Sequence, residues 1–230
     1  MTDTRGHFHQ ELAELESAAL EQADHCERLV GMAVEALSTS DTGLADRVLA
    51  EGREAQERYV TNHDRWIHLM ARQQPMGGDL RLMSSILHLN VTLDRTVAQC
   101  MNIARLVELT EDLPSSERIL NQIREMADLV RPMLRTAAGA FLRRDADEAR
   151  LLPAMDEPVD RINRNMYREV VDCGPDSGLL EWATHMMMTA RALERIGDQA
   201  VDMGEQVVFL VTGEYQGFSE QAFAARGEDD

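Results

Sequence analysis

The segment Leu93-Asp94-Arg95 returns one hundred residues later as Leu193-Glu194-Arg195, and at the same offset Gln99 meets Gln199 and Asn102 meets Asp202. A chain of 230 residues that repeats itself across its midpoint is a tandem duplication, so each half must bury the same kind of face. Periodicity identifies that face. Apolar positions run Phe8, Leu12, Leu15, Ala19, Cys26, Leu29, Ala33, in alternating steps of four and three that only Gln22 interrupts. This is the inner stripe of a long amphipathic helix with a nearly heptad repeat. Turn formers fill Ser38 to Gly43. A second helix is expected from about Leu44 to Arg72, with Trp66, Ile67 and Met70 on its inner face. Pro75-Met76-Gly77-Gly78 ends it, and Asp79 is placed to cap a third helix reaching about Leu109.

The polar, proline-bearing stretch from Thr110 to Ser116 separates the halves, and the plan then recurs. One helix carries Ile119, Ile123, Met126, Val130, Met133, Ala137 and Phe141; another is expected from about Asp145 to Val171. After a turn at Cys173 to Gly178, the last helix ends near Thr212 with Gly213 as its cap. The expected fold is all-α, two tandem similar three-helix bundles with six long helices. Residues 1–112 would form the first bundle, 113–218 the second, and 219–230 a disordered, fraying tail.

Charge narrows the function classes. A formal net charge of −18 opposes binding to a nucleic-acid backbone, which depends on Lys and Arg neutralising phosphates. It equally opposes direct docking on anionic lipid. No window supplies the run of about 18 apolar residues that a membrane span needs, and Met1 to Gln10 lacks the apolar core of a signal peptide. A cytoplasmic protein is expected. Cys26, Cys100 and Cys173, odd in number and far apart, read as reduced core thiols. Scattered Met and Leu on an acidic helical surface allow a homodimer without requiring one.

Glu194, Asp198 and Asp202 stand at intervals of four, each advancing only about 40° around a helix, so they line one winding stripe. Ligation needs a second helix. With the preceding turn centred near residue 175, Asp156 lies level with Glu194, Asp160 one turn to one side and Asp198 one turn to the other. Four carboxylates can thus converge on one side of the second bundle, an all-oxygen donor set suited to Mg, Ca or Mn. Pro158, between the two aspartates, either kinks their face or frees the carbonyl of Ala154. The plain alternative is a solvated acidic face. Glu157 and Glu205 read as solvated charges, and Arg191 and Arg195 as ion-pair partners or snorkelling side chains.

Gln73-Gln74-Pro75 with Asp79-Leu80-Arg81 in the first half, and Leu193 to Asp198 with the later Phe209-Leu210-Val211-Thr212-Gly213-Glu214 in the second, resemble the PhoU family from about Phe8 to Tyr215. The resemblance implies a pair of three-helix bundles acting as a cytoplasmic negative regulator of phosphate uptake and of the phosphate-starvation response. It implies two partners, the phosphate ABC transporter ATPase and the phosphate-sensor histidine kinase. It also implies metal ions, iron or zinc, held by E/D-x-x-x-D pairs, which Asp156/Asp160 and Glu194/Asp198 match. Iron is the first expectation, with zinc, manganese or magnesium as alternatives. Asp202 is the least secure ligand. The first half keeps Asp94, but Ala98 stands where Asp198 would be matched and Asn102 replaces the third acid. Where the family places its other acidic pair, this chain has Gly52 and Gln56. One cluster is therefore expected, in the second half, with Asp94 and Asn102 a degenerate counterpart.

Two other function classes compete with the regulator. One is a carboxylate-bridged metalloenzyme; di-iron bundles of that kind use Glu-x-x-His pairs, and the chain contains none. The other is a purely structural bundle.

Overall fold

The computed structural model describes residues 4–215 and 217–218, and among them there is helix and no strand. Seven helices follow in order: α1 (Thr4–Thr39), α2 (Thr42–Gln73), α3 (Gly78–Thr110), α4 (Glu117–Arg143), the single turn α5 (Ala146–Ala149), α6 (Leu152–Asp172) and α7 (Ser177–Thr212). α1, α2 and α3 pack on one another, as do α4, α6 and α7, so the all-α pair of three-helix bundles holds. The expected tail, residues 219–230, lies outside the described residues.

Helix boundaries follow local chemistry. Asp41 caps α2 by accepting from the Leu44 amide at 2.8 Å, and Asp176 caps α7 by accepting from Gly178 and Leu179. α7 ends on Gly213 at φ 80°, a left-handed position that glycine takes without the steric cost of a side chain. Three expectations fail. Asp79 does not cap α3: Gly77 occupies that place, and Asp79 lies in the first turn, its carboxylate 3.4 Å from His9 Nε2. Ile67 is exposed; the inner face of α2 is made by buried Leu69, with Trp66 donating its indole N–H to the Met83 carbonyl at 2.7 Å. The helix expected from Asp145 to Val171 is split between α5 and α6, because Pro153 has no N–H to give the carbonyl of Ala149.

All seven apolar positions named for the fourth helix are buried. The two bundles are not independent bodies, since α3 packs along α7, α1 packs along α4, and one hydrophobic cluster runs through both halves. The thiols of Cys26 and Cys100 are buried in that cluster, whereas Cys173 is only half-buried, and all three are free.

Polar groups cross the α3–α7 contact. Buried Thr96 donates through Oγ1 to Gln199 Oε1 at 2.8 Å, and Ser85 donates to the Gln206 carbonyl at 3.4 Å. Thr96→Val keeps the shape but strands Gln199 Oε1, so a loss of about 1–3 kcal/mol in denaturant unfolding is expected. Adding Gln199→Leu should recover much of it; a single mutant as stable as the parent would show that the bond contributes nothing.

Candidate metal centre

α6 and α7 form an antiparallel hairpin, and Asp156, expected level with Glu194, lies instead against Gly197, nearly one turn further along α7. Asp156 lies against α7 so closely that a Cβ built on Gly197 would fall 2.3 Å from Asp156 Oδ1. The absent side chain at 197 is what lets the carboxylate reach the backbone of α7. Met133 from α4 lines the same spot, its methyl 3.7 Å from that Cβ position.

The acids act on one another through a partly dry environment. Burial, then the charges of Asp160, Asp198, Glu194 and Glu157, push the Asp156 carboxyl up to about 7. Glu194 is raised by burial and by Asp198, against the opposing pull of Arg191. Asp198 is raised by burial and by Asp160, with Arg191 and Arg195 opposing. These relations join Asp156, Asp160, Glu194 and Asp198 in one cluster. Asp202 belongs to its edge: burial, Glu205 and Asp198 raise it, Arg95 of α3 opposes, and it is not among the charges acting on Asp156.

Two oxygens in the cluster have no donor among the described residues. Asp156 Oδ1 and Glu194 Oε2 are buried without a hydrogen-bond partner, a costly state for a carboxylate. Two others are held by arginines. Glu194 Oε1 pairs with Arg191, and Asp160 Oδ2 lies 3.4 Å from Arg164, which also holds Glu157 at 2.8 Å. So arranged, among the described residues no group of three or more His, Cys, Asp or Glu side chains is disposed to hold a metal ion. The donor chemistry fits a hard cation, and ligation requires the acids to turn from the arginines toward one another.

Pro158 sits inside α6, which continues through it from Leu152 to Asp172. The proline therefore leaves Asp156 and Asp160 on one continuous helix. Glu157 is exposed and salt-bridged to Arg164. Glu205 differs from expectation, for it accepts the Phe218 amide at 2.8 Å and the Tyr215 hydroxyl at 3.3 Å. It anchors the segment after α7 instead of standing free in solvent.

The first half lacks this arrangement for a packing reason. Gly52 is buried under Met101, whose Cγ would lie 2.6 Å from a Cβ there, so an acidic side chain has no room. Asp94 is half-buried and raised by burial, and exposed Asn102 accepts from Arg105 at 2.8 Å. Gly197 and Arg164 are the site residues that sequence reading missed. A glycine inside a strongly helical, carboxylate-bearing segment is the one signal that could have pointed to the first.

Comparison with known proteins places these observations. The pattern of the PhoU domain matches residues 19–107 and 123–207, one in each half. The chain is similar to a protein of Pseudomonas putida called phosphate-specific transport system accessory protein PhoU homolog, 34% identical over 90% of this chain and 81% of that one. A protein of the same description from Pseudomonas aeruginosa is 32% identical over 90% and 86%. The fold is similar to a crystal structure of PhoU from Pseudomonas aeruginosa, with a TM-score of 0.83 at 31% identity, covering 90% of this chain and all of that one. It is similar, too, to the phosphate transport system regulatory protein PhoU from Streptococcus pneumoniae, with a TM-score of 0.81 at 25% identity, over 91% and 99%.

Proposed function

This chain belongs to the PhoU family, and from that premise we propose that it is an accessory protein of a phosphate-specific transport system and a negative regulator of phosphate uptake. In this reading it is a cytoplasmic adaptor between the transporter's ATPase and a phosphate-sensor histidine kinase, and it is not an enzyme. What carries the reading is likeness along nearly the whole chain to proteins of that description, with the domain present in both halves. No helix among the described residues is long and apolar enough to cross a membrane, which suits an adaptor that reaches the membrane through its partners.

We assign the metal to the second bundle, held by Asp156, Asp160, Glu194 and Asp198, with Asp202 at the edge. The support is the pair of buried carboxylate oxygens without donors and the opening left by Gly197. A cation bound there supplies the positive charge that offsets the acids' mutual repulsion and ties α6 to α7. Iron is the expected ion, with zinc, manganese or magnesium as alternatives; Gly52 beneath Met101 supports a single cluster rather than one in each half.

Deleting the gene is expected to raise phosphate uptake in phosphate-replete cells and to derepress the phosphate-starvation genes. Unchanged uptake and expression would overturn the regulator. Metal-loaded protein that turned over a phosphoester or reduced oxygen would favour the metalloenzyme instead.

A further inference from the structure

A cleft of about 740 Å³ opens where α3 of the first half meets α6 and α7 of the second. Its lining is at odds with the rest of the molecule. The chain has 41 Asp and Glu against 23 basic residues, every one of them arginine, yet no acid is among the residues lining this cleft and three arginines are. They are Arg105 from α3 and Arg191 and Arg195 from α7. Arg191 is engaged with Glu194. The other two are available: Arg105 donates only to Asn102, and Arg195 makes no hydrogen bond or ion pair among the described residues. Guanidinium groups with no acid ion-paired to them among the described residues can take an anion.

The apolar lining selects the remainder of the ligand. Tyr167 is 67% exposed and Met188 55%, and with Ile103 and Leu106 they line the cleft beside the arginines. A tyrosine ring and methionine thioethers make an adaptable apolar bed for a flat ring. The carboxamides of Gln99 and Asn163 add paired donors and acceptors of the kind that read a heterocycle's edge. The volume falls in the range of small-molecule sites, about 300–1,000 Å³. We propose that this cleft between the two halves binds a nucleoside phosphate, its ring on Tyr167 and Met188 and its phosphate on Arg105 and Arg195.

The cleft borders the carboxylate cluster through Arg191 and Arg195, which act on Glu194 and Asp198, so the test is run in chelator, where no divalent cation can bridge a phosphate to the acids. Titrating the full chain with ADP by calorimetry is expected to give saturable one-to-one binding. Adenosine and inorganic phosphate are each expected to bind at least tenfold more weakly, because each fills one part of the site. Arg195→Ala and Arg105→Ala should each weaken ADP at least tenfold, and Met188→Glu should do the same by setting a carboxylate in the ring's place. All three side chains are exposed, so the variants should melt with the parent. Arg168→Ala, exposed and outside the cleft, should bind ADP like the parent. The proposal is overturned if ADP fails to saturate by about 5 mM, if the cleft variants bind it unchanged, or if phosphate alone binds as tightly. It is overturned as well if an acidic amphipathic peptide takes the cleft and ADP does not.

Discussion

Stripped of metal, the protein is expected to melt several degrees lower at about pH 8 than at about pH 5.5, and Asp156→Asn to remove most of that difference. The folded chain holds the Asp156 carboxyl near 7, against an ordinary value of 3.8, by burial and by the neighbouring Asp160, Asp198 and Glu194. Between those two values the folded state therefore carries a proton that the unfolded chain has given up. Stability from this group is complete below the unfolded value and is lost as pH rises through about 7. Glu194, Asp198 and Asp202, all raised, act in the same direction. One pKa unit corresponds to about 1.4 kcal/mol, only about one and a half units lie between pH 5.5 and 7, and solvent at a half-buried carboxyl screens part of that, leaving on the order of 1 kcal/mol. For a chain of this size that is roughly 2–4 °C from this group alone. Asparagine stays neutral throughout, so above neutral pH the metal-free variant should be the more stable protein. Added metal should reverse the order in favour of the parent, since ligation needs the charged carboxylates. Parent and variant melting in parallel across this range would remove the strained cluster from consideration.

The same cluster shows what a single sequence carries and where it stops. Local patterns transferred well where one physical cause dominates. The stripe from Ile119 to Phe141 is buried at every position named, because a helix with one apolar face has one way to hide it. Counting back from the 173–178 turn brought Asp156 to the acidic stretch of α7 but missed the register by nearly one turn, since the carboxylate lies against Gly197 and not level with Glu194. Expectations failed where two causes compete. Pro153 was visible in the sequence, but whether a proline ends a helix or rides within it depends on its surroundings: at 153 it opens α6, while Pro132 and Pro158 are accommodated inside α4 and α6. Ile67 is apolar yet exposed, because Trp66 turns its indole toward Met83 and Leu69 fills the interior. The pairing of Arg191 with Glu194 and of Arg164 with Asp160 rests on side-chain choices that periodicity does not encode. Nor does it encode the cleft, which exists only because α3 meets α6 and α7 across the repeat.

Gly197→Ala is expected to lower metal affinity by about 10–100-fold, the range seen when a ligand's support is removed, while leaving the metal-free fold intact. The added methyl would overlap Asp156 Oδ1 at 2.3 Å, and its next neighbours are Asp156 Cγ at 3.5 Å and the Met133 methyl at 3.7 Å. Only the carboxylate has to give way, and a short side chain on a helix surface does so by changing rotamer toward solvent. In solvent it regains water and loses its place among the acids, so the fall in stability toward high pH should flatten as it does in Asp156→Asn. Alanine also favours the helix by about 1 kcal/mol over glycine, offsetting the cost of the move. Gly204→Ala, one heptad along the same helix, is the matched contrast. There a Cβ would meet Leu152 Cδ1 at 2.5 Å and the backbone oxygen of Ala149 at 3.1 Å, atoms of the packed junction between α5 and α6. That variant should lose on the order of 1–3 kcal/mol to overpacking while its folded fraction binds metal like the parent. Metal analysis and melting curves on the two variants, beside Asp198→Ala, separate a ligand cradle from ordinary helix packing. If Gly197→Ala binds metal like the parent, or if both glycine variants lose stability alike, position 197 is a packing glycine and the carboxylates of α6 and α7 do not share an ion.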